Sequence, residues 1–328
     1  MNTDQVDYVQ TRLCNELGLA RADDLYIKKM SGGAIQENWL LENADLALVL
    51  RKNAESSMDV SSSREQEFLL LVRLYQAGIL VPEPLYFEKA PNLLNSDFFM
   101  MKKITGSAEG HKLVKQLDHQ QSQTLVTTIG SQLARIHAVQ PDEQLQQLFG
   151  QPTSADYLDC KIATFRAQLD ILQRSRPVLE YAIRWLQQNQ PKVDDLVLIH
   201  GDFRTGNLMV DGDVLTGILD WEFAQWGDRR EDIGWFTAKC WRFGQDHNIA
   251  GGIGSYKDFM QSYAEASSVY IPEFELKFWH VLAHVRWAII AMQQSNRNNE
   301  MQLPSLELAL TEFMVPRLEK HILDLLGE

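Results

Sequence analysis

Apolar residues along this chain fall into two regimes. Up to about residue 105 they come as short runs between polar turns: Leu25 to Met30, Trp39 to Glu42, Leu46 to Leu50, Leu85 to Phe87 and Phe98 to Met101. Runs of that length, bounded by turn residues, predict strands. Two stretches of helical spacing interrupt them. Residues 4–18 carry Val6, Val9, Leu13 and Leu17, and Arg64 to Ala77 carries Phe68, Leu69, Val72 and Tyr75 with Gly78 as a stop. Ser56 to Ser63 has no apolar pattern and reads as a loop. From about residue 107 the periods lengthen, and Leu125 to His137, Tyr157 to Gln173, Arg176 to Gln188, residues 273–294 and Leu306 to Leu326 predict helices. The Gln-rich patches near 116–123 and 144–151 read as solvated helix faces or loops. The expectation is an α+β chain in two parts, a β-rich 1–105 and a mostly helical 106–328.

Strands break into the helical regime once, at LVLIHGDFRTGNLMVDGDVLTGILDWE, residues 196–222. The run Leu196 to Ile199 ends in His200, Gly201 and Asp202, and Asn207 follows five residues after Asp202. Leu208 to Val210 and Val214 to Leu219 flank an Asp-Gly turn, the signature of a hairpin. Asn207 and Asp220 then stand at its two ends, with Asp202 on the loop leading in. One amide and one carboxylate oxygen are what magnesium takes from a protein when phosphate and water supply the rest. Asp202 is left to orient an acceptor hydroxyl and take its proton. A base Asp, a metal Asn five residues on and a metal Asp on the next strand is the order of the kinase template for phosphoryl transfer. His200, Gly201 and Asp202 stand where protein kinases have HRD, and Asp220, Trp221 and Glu222 where they have DFG. A zinc or iron site on His200, Asp202 and Asp220 is the weaker reading, since no second His lies near in sequence. The blandest is an acidic loop with a structural His200.

Composition narrows the class. A net charge of −13 over 328 residues argues against an electrostatic nucleic-acid binder. The polar, acidic start is no signal peptide, and no apolar run reaches membrane-spanning length. Cys14, Cys160 and Cys240 are far apart, without a CxxC pair, which fits ordinary thiols in the cytoplasm. No nucleic-acid or membrane partner is expected, and the oligomeric state leaves no sign in the sequence.

The motif His200, Gly201, Asp202, Arg204, Gly206, Asn207, then Leu219 to Glu222, then Gly227, Asp228 and Asp232, resembles the aminoglycoside phosphotransferase and choline kinase family. It looks closest to the kinase-like domain fused to some acyl-CoA dehydrogenases. The resemblance extends over most of the chain. It implies a bilobal protein-kinase-like fold, ATP and Mg2+ as cofactors, and transfer of the γ-phosphoryl group to a hydroxyl of a small molecule. Asp202 would be the base, His200 would support its loop by hydrogen bonding, and Arg204 would neutralise charge near the transferred group. Asn207 and Asp220 would hold the metal. The loop Ser31, Gly32 and Gly33 would bring backbone N–H groups to the phosphates. Arg51, rather than Lys52, would hold the α- and β-phosphates in place of the family's usual Lys. Its acidic partner is Glu65 or Glu67, the family pattern favouring Glu67. The adenine edge would bond the Lys102 carbonyl and the Ile104 N–H. Asp232 would brace the catalytic loop or help position substrate. Arg229 and Arg230 depart from the family's small residue or Pro after Gly-Asp, and mark either an anion contact or a solvated turn.

The acceptor stays open. The acidic chain favours an aminoglycoside or other amine-bearing molecule. The motif, with Arg229, Arg230 and Arg286 as anion contacts, favours a hydroxyacyl-CoA or similar metabolite. A non-catalytic nucleotide-binding module is the reading from another class, and the complete Asp202, Asn207 and Asp220 set speaks against it. His137 ends a helix far from the motif and is expected to be structural. His280 and His284, at i and i+4, show no third metal ligand in the sequence, and the aromatic stretch Trp235 to Phe243 reads as core.

Overall fold

The computed structural model describes residues 1–18, 25–30, 36–53, 62–151, 153–300 and 310–327. They form a bilobal α+β chain of two compact units, one of residues 1–108 with 207–224, the other of 109–206 with 225–328.

The first unit is built on an antiparallel sheet of β1 (Tyr26–Lys29), β2 (Gln36–Glu42), β3 (Ala47–Asn53), β4 (Pro84–Glu88) and β5 (Phe98–Lys102), in the order β1-β2-β3-β5-β4. The inner strands β3 and β5 each carry four consecutive buried residues, as burial on both faces requires. On one face Leu41, Leu48, Leu50, Phe98 and Met100 pack against Val9 and Leu13 of α1 (Thr3–Leu17). On α2 (Arg64–Gln76), Phe68 stacks on Phe87 and Phe99 at 5.8 and 6.0 Å between ring centres.

The predicted hairpin is present, as β7 (Leu208–Asp211) and β8 (Val214–Ile218) with Gly212 at φ 63° in the turn. It belongs to the first unit. Val210 exchanges backbone bonds with Ser107 (2.9 and 3.1 Å), and Ile218 N–H donates to the Leu80 carbonyl (2.8 Å). Gly106 is needed at this join, because a Cβ there would lie 2.4 Å from the Val210 carbonyl oxygen.

The second unit is largely helical: α3 (Gly110–Gln116), α4 (His119–His137), α5 (Glu143–Phe149), α6 (Tyr157–Leu172), α7 (Pro177–Gln188), α8 (Arg229–Thr237), α9 (Tyr256–Ser267), α10 (Lys277–Glu300) and α11 (Val315–Leu326). Leu125, Ile129, Leu133 and Ile136 of α4 are fully buried, as are Phe259 and Tyr263 of α9. The run Leu196 to Ile199 forms β6 (Val197–Ile199), whose partner is β9 (Gln225–Gly227). The long helix predicted from 273 begins at Lys277, because Pro272 leads into a single 3-10 turn first. α4 starts six residues before its apolar pattern, at a capping box between Asp118 and Gln121.

Candidate active site

In the first unit, β3 carries Arg51 into the interior, where it is 4% exposed. Its Nε lies 3.3 Å and its Nη2 3.0 Å from the Glu67 carboxylate, and Nη1 donates to Asp220 Oδ1 at 2.9 Å. Glu67 projects from the first turn of α2 and is also bonded by Arg64. Arg64 Nη2 donates to the Ser62 carbonyl at 3.2 Å and lies 3.9 Å from Glu222. Two guanidinium groups and three carboxylates thus share one network, buried except at Asp220. Burial works to lower the Arg51 pKa, but Glu67, Asp220 and Glu222 together raise it above the ordinary value. Arg64 is held below its ordinary value, chiefly by burial. The other contenders have other partners: Glu65 pairs with Lys89 at 3.1 Å, and Lys52 with Glu37 at 3.3 Å.

Asn207 and Asp220 sit at the same end of the hairpin, beyond the Leu208–Ile218 pair, and the Leu219 N–H donates to the Asn207 carbonyl at 2.8 Å. Asp220 has φ 62° and ψ 63°, a left-handed conformation that is strained for a residue with a Cβ. It turns the chain out of β8, while buried Trp221 anchors the bend by donating from Nε1 to the Ile218 carbonyl at 3.0 Å. The Asp220 side chain stays 42% exposed. Its carboxylate and the Asn207 amide are a hard-oxygen donor set that suits magnesium, which keeps phosphate and water among its ligands. Among the described residues no group of three or more His, Cys, Asp or Glu is placed to hold a metal, so His200 is not part of a closed zinc cage.

Of the remaining nucleotide candidates, Lys102 donates from its backbone N–H to the Glu83 carbonyl at 2.9 Å, and Ile104 packs its side chain against Gly217 of β8. Ser31, Gly32 and Gly33 lie outside the described residues.

In the second unit, the loop after β6 is held by one buried carboxylate. Asp232, on the first turn of α8, accepts from the backbone N–H groups of His200 (2.7 Å) and Gly201 (2.9 Å). Its Oδ2 lies 3.2 Å from His137 Nε2, and His137 Nδ1 lies 2.8 Å from the Tyr263 hydroxyl. Burial would raise the Asp232 pKa, but the bonds and charges of His137 and His200 keep it below its ordinary value. Burial holds the His137 pKa below its ordinary value, against the bond and charge of Asp232, which raise it. His137 therefore touches the motif directly, at Asp232, and is distant from it only in sequence. The chain runs far between them, but α4 and α8 return to the same loop.

His200 is fully buried, and its Nδ1 accepts the Asp202 N–H at 3.1 Å. The Asp202 carboxylate accepts from Trp235 Nε1 at 2.8 Å and from Arg204 Nε at 3.1 Å. Trp235 is core, as expected, and its indole N–H in addition bonds the carboxylate of Asp202. Around it the Arg286 guanidinium stacks on Trp235 at 4.6 Å, and Arg204 on Trp241 at 4.9 Å. Arg286 also donates to the Gly201 carbonyl. The carboxylate of Glu231 is nearby but buried, and is bonded by Lys161 (2.7 Å) and the Tyr157 hydroxyl. The surroundings of Asp202 are thus rich in cations and indole rings. Arg230, in contrast, is committed to Asp228 and to the Lys192 carbonyl (2.7 Å).

A model of the phosphotransferase enzyme family matches residues 27–266. The chain is 26% identical to acyl-CoA dehydrogenase family member 10 of Mus musculus over 231 residues, which cover 69% of this chain and 21% of that protein. It therefore spans about a fifth of that relative's length. A crystal structure of a candidate aminoglycoside phosphotransferase from Ralstonia eutropha has a TM-score of 0.79 at 17% identity, with 98% of each chain covered. A spectinomycin phosphotransferase in complex with ADP and spectinomycin has a TM-score of 0.65 at 13% identity, covering 100% of this chain and 99% of that one. At those identities the two structures speak for the fold, which is protein-kinase-like.

Proposed function

The chain belongs to the phosphotransferase enzyme family, and from that premise we propose that it transfers the γ-phosphoryl group of ATP to a hydroxyl of an anionic small molecule of the hydroxyacyl-CoA kind. The observation that carries the acceptor class is the charge around Asp202. Arg204 bonds it, Arg286 stacks on the Trp235 that bonds it, and the nearby carboxylate of Glu231 is neutralised by Lys161. An amine-rich acceptor calls for exposed carboxylates at that place, and a negatively charged one calls for guanidinium groups. The similarity to a protein of the acyl-CoA dehydrogenase family points the same way. Aminoglycosides, which appear in the names of the matched structures, are the second reading.

In this mechanism Asp202 takes the acceptor's proton as the hydroxyl oxygen attacks phosphorus, held in its working rotamer by Trp235 and Arg204. Arg51, fixed by Glu67, binds the α- and β-phosphates. Asn207 and Asp220 hold magnesium, which when bound spreads the charge of the triphosphate. Lys102 and Ile104 meet the adenine edge through their backbones. Positioning and electrostatics then supply most of the rate.

Asp220→Ala should weaken binding of magnesium-ATP about tenfold or more, the loss of one charged contact. Calorimetric titration with and without magnesium reads this directly, and equal affinity for the variant and the parent chain would remove Asp220 from the metal site. The acceptor class is tested by ADP release across hydroxyacyl-CoA thioesters, free hydroxy acids and aminoglycosides. Thioesters should lead, and turnover confined to aminoglycosides would overturn the assignment.

A further inference from the structure

The second unit contains a cavity of about 180 Å³ that the phosphotransfer mechanism leaves unused. Lys239 and Arg242 line it from the turn after α8, His280 and His284 from α10, and His321 and Asp324 from α11. The three histidines are at most 8% exposed. Two of their ring nitrogens, His284 Nε2 and His321 Nδ1, are buried with no hydrogen-bond partner among the described residues. Nitrogens buried without a partner carry a desolvation cost that a ligand can relieve.

The tautomers follow from the partners. His284 Nδ1 is 2.6 Å from the His280 carbonyl, which can only accept, so Nδ1 carries the hydrogen and Nε2 presents a lone pair. Thr237 spends its single hydroxyl hydrogen on the Ile233 carbonyl at 2.7 Å. His280 Nε2, 2.9 Å from that hydroxyl, is therefore the donor. Burial lowers His280 to about 3 and His284 to about 4, which keeps both rings neutral. Arg242 donates to the Thr237 carbonyl (2.7 and 3.1 Å) and to the Asp246 carbonyl (3.1 Å), and still has N–H groups to spare. Lys239 is 3.5 Å from Asp246, and Asp324 is engaged by Lys320 at 2.8 Å.

The wall thus combines two cations, an acceptor lone pair, the unpartnered His321 Nδ1 and one carboxylate, Asp324, whose charge Lys320 offsets. Positive charge disfavours a metal ion, and no metal-holding group of three occurs among the described residues. It favours an oxyanion, but His284 Nε2 repels one that has no proton. We propose that this cavity binds a protonated phosphate group, whose anionic oxygens accept from Lys239 and Arg242 and whose P–OH donates to His284 Nε2. The source is either free phosphate or the terminal phosphate of a larger ligand such as a coenzyme A. The cavity admits the phosphate and a few waters, so any larger body must remain outside it.

The test is calorimetric titration of the whole chain at neutral pH, without ATP or magnesium, so that it is independent of turnover. Inorganic phosphate should bind about tenfold or more tightly than sulfate, which carries no proton to donate at that pH. Lys239→Ala, at a side chain 40% exposed, should weaken phosphate binding by a similar factor. That variant also separates this cavity from phosphate held by Arg51, which it leaves intact. His284→Leu should erase the preference for phosphate over sulfate. Competition between coenzyme A and phosphate identifies a tail phosphate as the source, and its absence identifies the free ion. Equal binding of phosphate and sulfate, no change in Lys239→Ala, or uptake of Zn2+ in place of phosphate would overturn the proposal.

Discussion

Asp202→Asn is expected to lower kcat by about 10²–10⁴ while leaving the affinity for magnesium-ATP within a factor of about two, because a general base contributes on that order to the rate and not to nucleotide binding. The amide keeps the shape of the carboxylate and one acceptor oxygen for Trp235 Nε1, 2.8 Å away in the parent chain. Its NH2 would face the Arg204 guanidinium, whose Nε stands 3.1 Å from Oδ2 and would lose its acceptor. The fold should tolerate this, since Arg204 is 28% exposed and can turn to water. Single-turnover kinetics and an equilibrium titration on one preparation separate the two effects. A variant that turns over at the parent rate removes Asp202 as base, and one that loses nucleotide affinity in step with kcat points to a wider disturbance.

Asp232→Ala should have the largest effect on stability. The residue is 0% exposed and accepts from two backbone N–H groups and from His137. Removing it strands those donors away from water, at about 1–3 kcal/mol each in the absence of relaxation. A fall in Tm on the order of 5–10 °C follows. The same deletion frees the His200–Gly201 backbone and so displaces Asp202, and a shift of about 1 Å at a reacting group can reduce kcat about 10²-fold. His137→Phe offers a milder case. It keeps the Asp232 bonds to the backbone and loses only the imidazole, so kcat should fall less than in Asp232→Ala. Thermal melts beside kcat measurements check both, and an Asp232→Ala chain with the parent Tm and kcat would show that the loop is held by something else.

Much of the architecture was legible because the apolar pattern changes period near residue 105 and because the hairpin carries an Asp-Gly turn. The strands β3 and β5 and the helices α2, α6 and α7 lie where periodicity places them, within a few residues. What was not legible is nonlocal or polar. β9 has three residues and exists only because β6 needs a partner, so no sequence period could mark it. The Gln-rich segment before Leu125 is the first turns of α4, started by a cap and not by apolar spacing. The pairing of Arg51 with Glu67, left open against Glu65, is decided by the side of α2 that each acid faces: both stand in its first turn, but Glu67 meets Arg51 and Glu65 meets Lys89. His137 is structural and Trp235 is core, as expected, but the partners they serve were hidden for the same reason. Their contacts to Asp232 and Asp202 span 95 and 33 residues, and one helix-terminal His or one Trp in an aromatic stretch looks the same whether or not it touches a catalytic loop.

The most direct test follows the phosphorus. ATP labelled in its γ-phosphate is incubated with magnesium, the chain and a hydroxyacyl-CoA, and the products are separated and read by mass spectrometry. The label should appear as a phosphate ester on the acyl hydroxyl, one for each ADP formed, and should vanish from that position with Asp202→Asn. Label found only in inorganic phosphate, or on the acceptor at an equal rate with Asp202→Asn, would contradict transfer to a hydroxyl activated by Asp202.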